Sequence, residues 1–164
     1  MLKKILIVVV VILIALIGLI AMQPSTYAVS RNALMTAKPR AVFGLVNDLA
    51  LWDAWSPWRE LDPAAKMKYS TPSSGKGASV TWNGNDAIGE GTVTIRESRP
   101  FELVELEQVF VRPFAGKSRM IFTFVPEGEA IRVTMKMDGT NDFIGKAMCL
   151  VMNIDTLAGK DFEK

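Results

Sequence analysis

Asn47-Asp48-Leu49-Ala50-Leu51-Trp52-Asp53-Ala54-Trp55-Ser56-Pro57-Trp58 gathers three of the chain's four tryptophans in one short segment. Trp52 and Trp55 are three residues apart, a spacing that puts two side chains on one face of a helix. Ser56-Pro57 then ends the helix, because the residue before a proline is pushed out of the helical region. So short a helix cannot bury its own indoles. It needs a partner surface, and the flanking sequence shows what that surface is.

Upstream, Val42, Leu45, Val46 and Leu49 follow the i, i+3, i+4, i+7 spacing of one helix face. Thr36 or Lys38 stands near the cap and Pro39 in the first turn, so a helix is expected over Pro39–Asn47. Before it, Tyr27 to Leu34 reads as a strand. Downstream the period changes to two. Lys66 to Ser70 is a weak strand. Ala78, Val80 and Trp82 alternate with polar residues, and so do Val93 and Ile95 within Gly91 to Ser98. Phe101 to Val111 is a long strand. Met120, Phe122 and Phe124 share a face, and Glu127-Gly128-Glu129 marks a hairpin to Ile131, Val133, Met135 and Met137. After Gly139-Thr140-Asn141 the period returns to 3.6, with Phe143, Ala147, Leu150, Val151, Ile154 and Leu157 on one apolar face. The expected fold is α+β: a curved antiparallel sheet of about six to seven strands wrapped on a long C-terminal helix. The short helices near the tryptophans would plug one end.

At the start of the chain, Ile5 to Met22 carries no charge, and ten of its residues are Ile or Val. At ~1.5 Å per residue it makes roughly 27 Å of helix, close to the ~30 Å hydrocarbon core of a bilayer. A transmembrane anchor over residues 1–24, followed by one domain over residues 25–164, is the expected organisation. A cleaved signal peptide is the competing reading, although this run exceeds the usual ~7–15-residue apolar region. Lys3 and Lys4 precede the run, which puts the N-terminus in the cytoplasm and the domain on the extracytoplasmic side of the cell membrane.

The 164 residues contain no histidine and one cysteine, Cys149. This excludes Ser-His-Asp and Cys-His mechanisms, His-containing zinc sites and an internal disulfide. No cofactor and no metal site is expected. Without Lys3 and Lys4, 17 basic residues balance 17 acidic ones. Nothing here is a footprint for a phosphate backbone, so nucleic acid is not an expected partner. Gly116-Lys117-Ser118 lacks the earlier glycine of a P-loop, since Val111 sits there.

Asp48, Trp52, Trp55 and Ser56-Pro57-Trp58 together resemble the D-x3-W-x2-W-S-P-W signature of polyketide-cyclase/dehydratase-like members of the START-like (SRPBCC) superfamily. Trp82-x-Gly84, Gly89-x-Gly91, Arg99-Pro100, Arg112-Pro113-Phe114 and Met137-x-Gly139 agree with it in order. Phe143-Ile144-Gly145-Lys146, Met152-x-x-Asp155 and Gly159-Lys160-Asp161-Phe162-Glu163 resemble the last helix of membrane-anchored members. The resemblance covers about residues 25–164. It implies a helix-grip fold with a hydrophobic cavity, and it leaves the chemistry open: members include lipid carriers, ligand-gated regulators and aromatic cyclases.

Trp52 and Trp55 either stack on a ligand or plug the core. Met120, Phe122, Phe124, Val133, Met135 and Met137 either line an adaptable pocket or form ordinary core, and in this fold one face provides both. Val104, Leu106, Gln108 and Phe110 are expected to point inward. Gln108 is then a polar contact in an apolar pocket, while Glu105 and Glu107 face solvent. Arg112 either binds a ligand anion or makes a rim salt bridge, and Cys149 is expected to be buried. Trp58 is expected partly exposed, against lipid. The candidate ligand contacts are Trp52, Trp55, Trp82, Gln108, Phe110, Phe122 and Met135. The expected function is a membrane-anchored binding module for an apolar small molecule or lipid, held in a cavity between the sheet and the C-terminal helix. The alternatives are a cyclase/dehydratase- or hydrolase-type enzyme and a structural or sensory module without ligand. An enzyme would show polar groups converging with Gln108, a binding module a dry pocket, and a structural module no pocket.

Overall fold

The computed structural model describes residues 1–151. Helix α1 (Leu2–Ala21) leads into strand β1 (Thr26–Met35), then helix α2 (Pro39–Asn47), a 3-10 helix (Leu49–Ala54) and helix α3 (Trp58–Leu61). Strands β2 (Lys66–Tyr69), β3 (Ser79–Asn83), β4 (Glu90–Arg99), β5 (Leu103–Arg112), β6 (Gly116–Glu127) and β7 (Ala130–Thr140) follow, and then helix α4 (Phe143–Val151).

All seven strands form one antiparallel sheet in the order β1-β7-β6-β5-β4-β3-β2. The first two strands therefore lie at opposite edges. At ~4.8 Å per strand the chain between them must cross roughly 29 Å of sheet. It does so over one face, which is why α2, the 3-10 helix and α3 lie against the sheet. Two extra residues bend that sheet: Arg96 in β4 and Val111 in β5 have no partner across the ladder. Such bulges increase local twist and curvature.

The helix-facing side of the sheet carries the core: Val80 and Trp82, Val93 and Ile95, Val104 and Leu106, Met120, Phe122 and Phe124, Ile131 and Val133. Val42, Phe43, Val46, Leu49 and Trp52 fill in from the covering helices. Phe43 sits edge-on to Phe101 and Phe124, with ring centres 5.4 and 5.5 Å away. The α2 boundaries and the inward set of β5 are those expected from periodicity.

The sheet, the short helices and a C-terminal helix are those expected, and only the packing of the described residues of α4 differs. Phe143 and Leu150 belong to the apolar face of α4, yet Phe143 is 53% exposed and Leu150 also lies open. The described turns of α4 lie beside the end of α1 rather than on the sheet. Lys146 Nζ donates to the Ala21 carbonyl at 3.3 Å, and Asn141 Nδ2 donates to the Pro24 carbonyl at 3.2 Å. Periodicity locates an apolar face but not the element that covers it. The expectation for Ile154 and Leu157 lies outside the described residues.

α1 is long and apolar enough to cross a membrane, and a signal sequence has the same properties. At ~1.5 Å per residue its 20 residues rise about 30 Å. Only Ile20 in it is buried.

Candidate functional site: an aromatic-walled cavity

A cavity of about 380 Å³ opens between the sheet and the covering helices. Its floor is Met120, Phe122, Val133 and Met135, and its roof is Val42, Leu45 and Val46 of α2. Trp52, Trp55 and Trp58 form one wall, and the second half of β1 forms the other. No described residue of α4 lines it, so among the described residues the cover is α2 and the tryptophan segment, not the C-terminal helix.

The tryptophan segment is held by a local rule. The last carbonyls of a helix have no partner within it. Trp52 Nε1 donates to the Val46 carbonyl at 3.0 Å, and Trp55 Nε1 donates to the Leu45 carbonyl at 3.1 Å. Both indoles thus satisfy the end of α2. Asp48 adds to this by accepting from the Ala50 N–H and the Ser73 hydroxyl. With their N–H groups engaged on backbone, Trp52 and Trp55 can offer a ligand only apolar ring surface. Their rings lie 5.2 Å apart, and Trp55 meets Phe122 edge-on at 6.2 Å.

Behind this wall is a second tier. Trp58 stacks on Trp82 at 6.3 Å, and Trp82 meets Phe110 edge-on at 5.5 Å. Trp82 Nε1 donates to the Ile88 carbonyl at 3.0 Å. Its ring lies directly over Gly91, where a Cβ would come within 2.5 Å of it. Of the candidate contacts, Trp52, Trp55, Phe122 and Met135 therefore line the cavity. Trp82 and Phe110 reach it only through Trp58. Trp58 itself is half-buried, as expected, and packs into this aromatic column.

Gln108 lies outside the cavity lining. It is 1% exposed, and its Oε1 accepts from the Ser118 hydroxyl at 3.3 Å. Its Nε2 has no hydrogen-bond partner among the described residues. Met120 separates it from the cavity: Met120 lines the cavity and lies two residues along β6 from Ser118, the cross-strand partner of Gln108.

Apart from Arg31, the charged groups are elsewhere. Glu107 is hydrogen-bonded by Arg96 and Lys117 on the outer face, and these bonds hold its carboxyl below the ordinary range. It is not a raised-pKa acid. Arg112 pairs with Glu90 at 3.3 Å and donates to the Gly84 carbonyl at 3.1 Å, so it makes a salt bridge away from the cavity lining. Arg31 is the only charged side chain among the described lining residues. No group of three His, Cys, Asp or Glu side chains that could hold a metal occurs among the described residues. Cys149 is half-buried, with Asn141 Nδ2 at 3.5 Å from its sulfur.

The sequence did not single out Arg31, Asn32 and Ala33 of β1 as wall residues. The order of strands decides this, because β1 pairs with β7 at the far end of the chain.

No protein-family model matches the sequence, and no curated protein does. Solved structures do resemble it. The Mll3558 protein from Rhizobium loti aligns with a TM-score of 0.60 at 14% identity, over 84% of this chain and 89% of that one. The Aha1 dimer from Colwellia psychrerythraea aligns with a TM-score of 0.55 at 14% identity, over 83% and 90%. Ara h 8.0201 aligns with a TM-score of 0.53 at 10% identity, over 78% and 99%. At these identities the likeness establishes the fold alone: the chain has the α+β helix-grip fold.

Proposed function

We propose that this chain is a membrane-anchored binding module for an apolar small molecule or lipid. The observation that carries the proposal is the cavity of about 380 Å³, where Trp52 and Trp55 have turned their N–H groups onto backbone. Its volume falls within the ~300–1,000 Å³ of small-molecule sites, and at ~30 Å³ per small group it has room for roughly a dozen non-hydrogen atoms. Three methionine or phenylalanine side chains on its floor suit a flexible apolar guest, because methionine adapts to irregular shapes.

The anchor fits this role. α1 would leave the 20-residue apolar surface of a helix in water if it did not enter a bilayer. Lys3 and Lys4 orient it with its N-terminus in the cytoplasm and the domain outside. A membrane next to the domain is a reservoir of apolar guests. The orientation has its own check: a reporter fused after Lys164 that works only in the cytoplasm contradicts it.

The binding role is tested on the full chain, recovered in lipid nanodiscs and extracted with organic solvent for mass spectrometry. The wild type is expected to yield one small molecule per chain beyond the nanodisc lipids. Val133→Phe, which fills the floor, is expected to lose it. Equal yields from both proteins contradict the proposal.

A further inference from the structure

Four residues stand in one row across four strands. Tyr27 of β1 pairs with Gly139 of β7, Gly139 pairs with Ser118 of β6, and Ser118 pairs with Gln108 of β5. Directly paired residues point to the same face of a sheet, so this row lies on the same face as Met120 and Phe122. Gly139 lets the row close up. A Cβ there would come within 2.6 Å of the Tyr27 hydroxyl and 2.7 Å of its ring, so the phenol lies over the glycine and reaches Ser118. Burial raises the Tyr27 pKa, which keeps the phenol protonated near neutral pH.

The proton order in this row is fixed by chemistry. Gln108 Oε1 can only accept, so the Ser118 hydroxyl must donate to it. The Tyr27 phenol lies beside this hydroxyl, which lowers its pKa against the larger raising effect of burial. With the Ser118 proton committed to Oε1, the two protons on Gln108 Nε2 remain, on a nitrogen that is buried and has no partner among the described residues. A buried donor left in this state costs folding free energy, so its retention calls for an explanation.

The Gln108–Ser118 row and the row holding Met120 are two residues apart along the strands, or about 7 Å. Met120 belongs to both neighbourhoods: it lines the cavity and borders the row. Its three rotatable bonds let it swing aside where a branched side chain could not.

We infer that Gln108 Nε2 is the polar end of the binding site and donates to a carbonyl oxygen at one end of an otherwise apolar ligand. This rests on the proposed binding role of the cavity. The apolar body lies among Trp52, Trp55 and Phe122. The head passes Met120, and the Tyr27–Ser118 pair holds the amide in place. Alkanes and alkenes of the same shape leave the amide unpartnered and bind more weakly.

The test uses two probes of equal shape, 2-undecanone and 2-methyl-1-undecene, in which a CH2 group replaces the carbonyl oxygen. Both are titrated into the full chain in lipid nanodiscs, with tryptophan fluorescence as the readout. Partition into lipid cancels when the ketone-to-alkene affinity ratio of the wild type is divided by that of Gln108→Leu. This quotient is expected to be about ten, the weight of one hydrogen bond. A 13C label on the ketone carbonyl adds a second readout, a downfield shift in wild type that Gln108→Leu abolishes. Gln108→Leu preserves size and removes a buried polar group, so it is expected to fold. Ser118→Ala is the second variant, and it is expected to weaken the ketone preference without abolishing it. If both probes bind and the quotient is one, with no shift, the inference fails while the cavity's binding role stands. If neither probe binds saturably, both fail.

Discussion

The inner face of the sheet has two ends, and they treat polar atoms in opposite ways. At the tryptophan end the indole N–H groups of Trp52 and Trp55 are bonded to the last carbonyls of α2, and what faces the cavity is apolar ring. At the end where β1 follows α1, the buried Ser118 and Gln108 and the half-buried Tyr27 form a polar row whose Gln108 Nε2 has no partner among the described residues. The first arrangement builds a wall, and its polar atoms serve the fold. The second carries a donor that has no partner among the described residues. A side chain fixed by backbone is therefore expected to matter most for stability. A side chain with a free donor is expected to matter most for ligand choice.

The largest effect should come from the wall. Trp52 is 6% exposed and holds the Val46 carbonyl. Trp52→Ala is expected to destabilise the fold by about 3–5 kcal/mol, measured by denaturant unfolding. A loss below about 1 kcal/mol would mean the indole is not structural. Trp55 is 38% exposed and makes a similar bond. Trp55→Ala should cost less, about 1–2 kcal/mol, and the gap between the two measures how much of the wall is core.

The next effect concerns the row. Gly139→Ala drives a methyl group into Tyr27 and is expected to cost about 1–3 kcal/mol. Tyr27→Ala in the same chain should recover much of that loss, because the two sites touch. Additive losses in the double variant would show that the phenol does not lie over the glycine.

Gln108→Leu should change stability by less than about 1 kcal/mol, since it removes a donor that had no partner and leaves Ser118 one acceptor short. A large loss would mean that Nε2 has a partner in solution, and the contrast between the two ends would disappear.

The smallest effect is on pH dependence. The Tyr27 pKa is raised in the folded state, chiefly by burial and in part by Asp138, against the lowering effect of Ser118. The folded state therefore holds its proton to higher pH than the unfolded chain. The contribution is fully present below pH 10, the ordinary tyrosine value, and is lost as pH rises through the folded pKa. Tyr27→Phe should flatten the decline in thermal stability above pH 10. An unchanged slope would place the phenol in water.

Much of this was legible in the sequence, for local reasons. Pro39 and the spacing of Val42, Val46 and Leu49 set α2, and alternation in β5 turned Gln108 inward. The tryptophan segment showed that it needed a partner surface. What remained hidden depends on long-range pairing. That β1 borders β7, and so brings Arg31 to the cavity and Tyr27 to Ser118, requires a register between residues more than a hundred positions apart. One trace of it was present. Met137-x-Gly139 puts a glycine inside a strand, which marks a close approach of some other group. That group is the Tyr27 ring. The apolar face of α4 was also legible, but not its place beside α1.

The central claim is that the cavity takes an apolar guest, and heavy-atom quenching tests it most directly. With the full chain in lipid nanodiscs, 1-bromononane is titrated while the emission of Trp52, Trp55 and Trp58 is followed. Bromine quenches on contact, and these three rings line the cavity. The account predicts saturable quenching in the wild type and none that saturates in Val133→Phe. Linear quenching of the same slope in both proteins would mean that the probe only dissolves in the lipid and that the cavity stays closed to it.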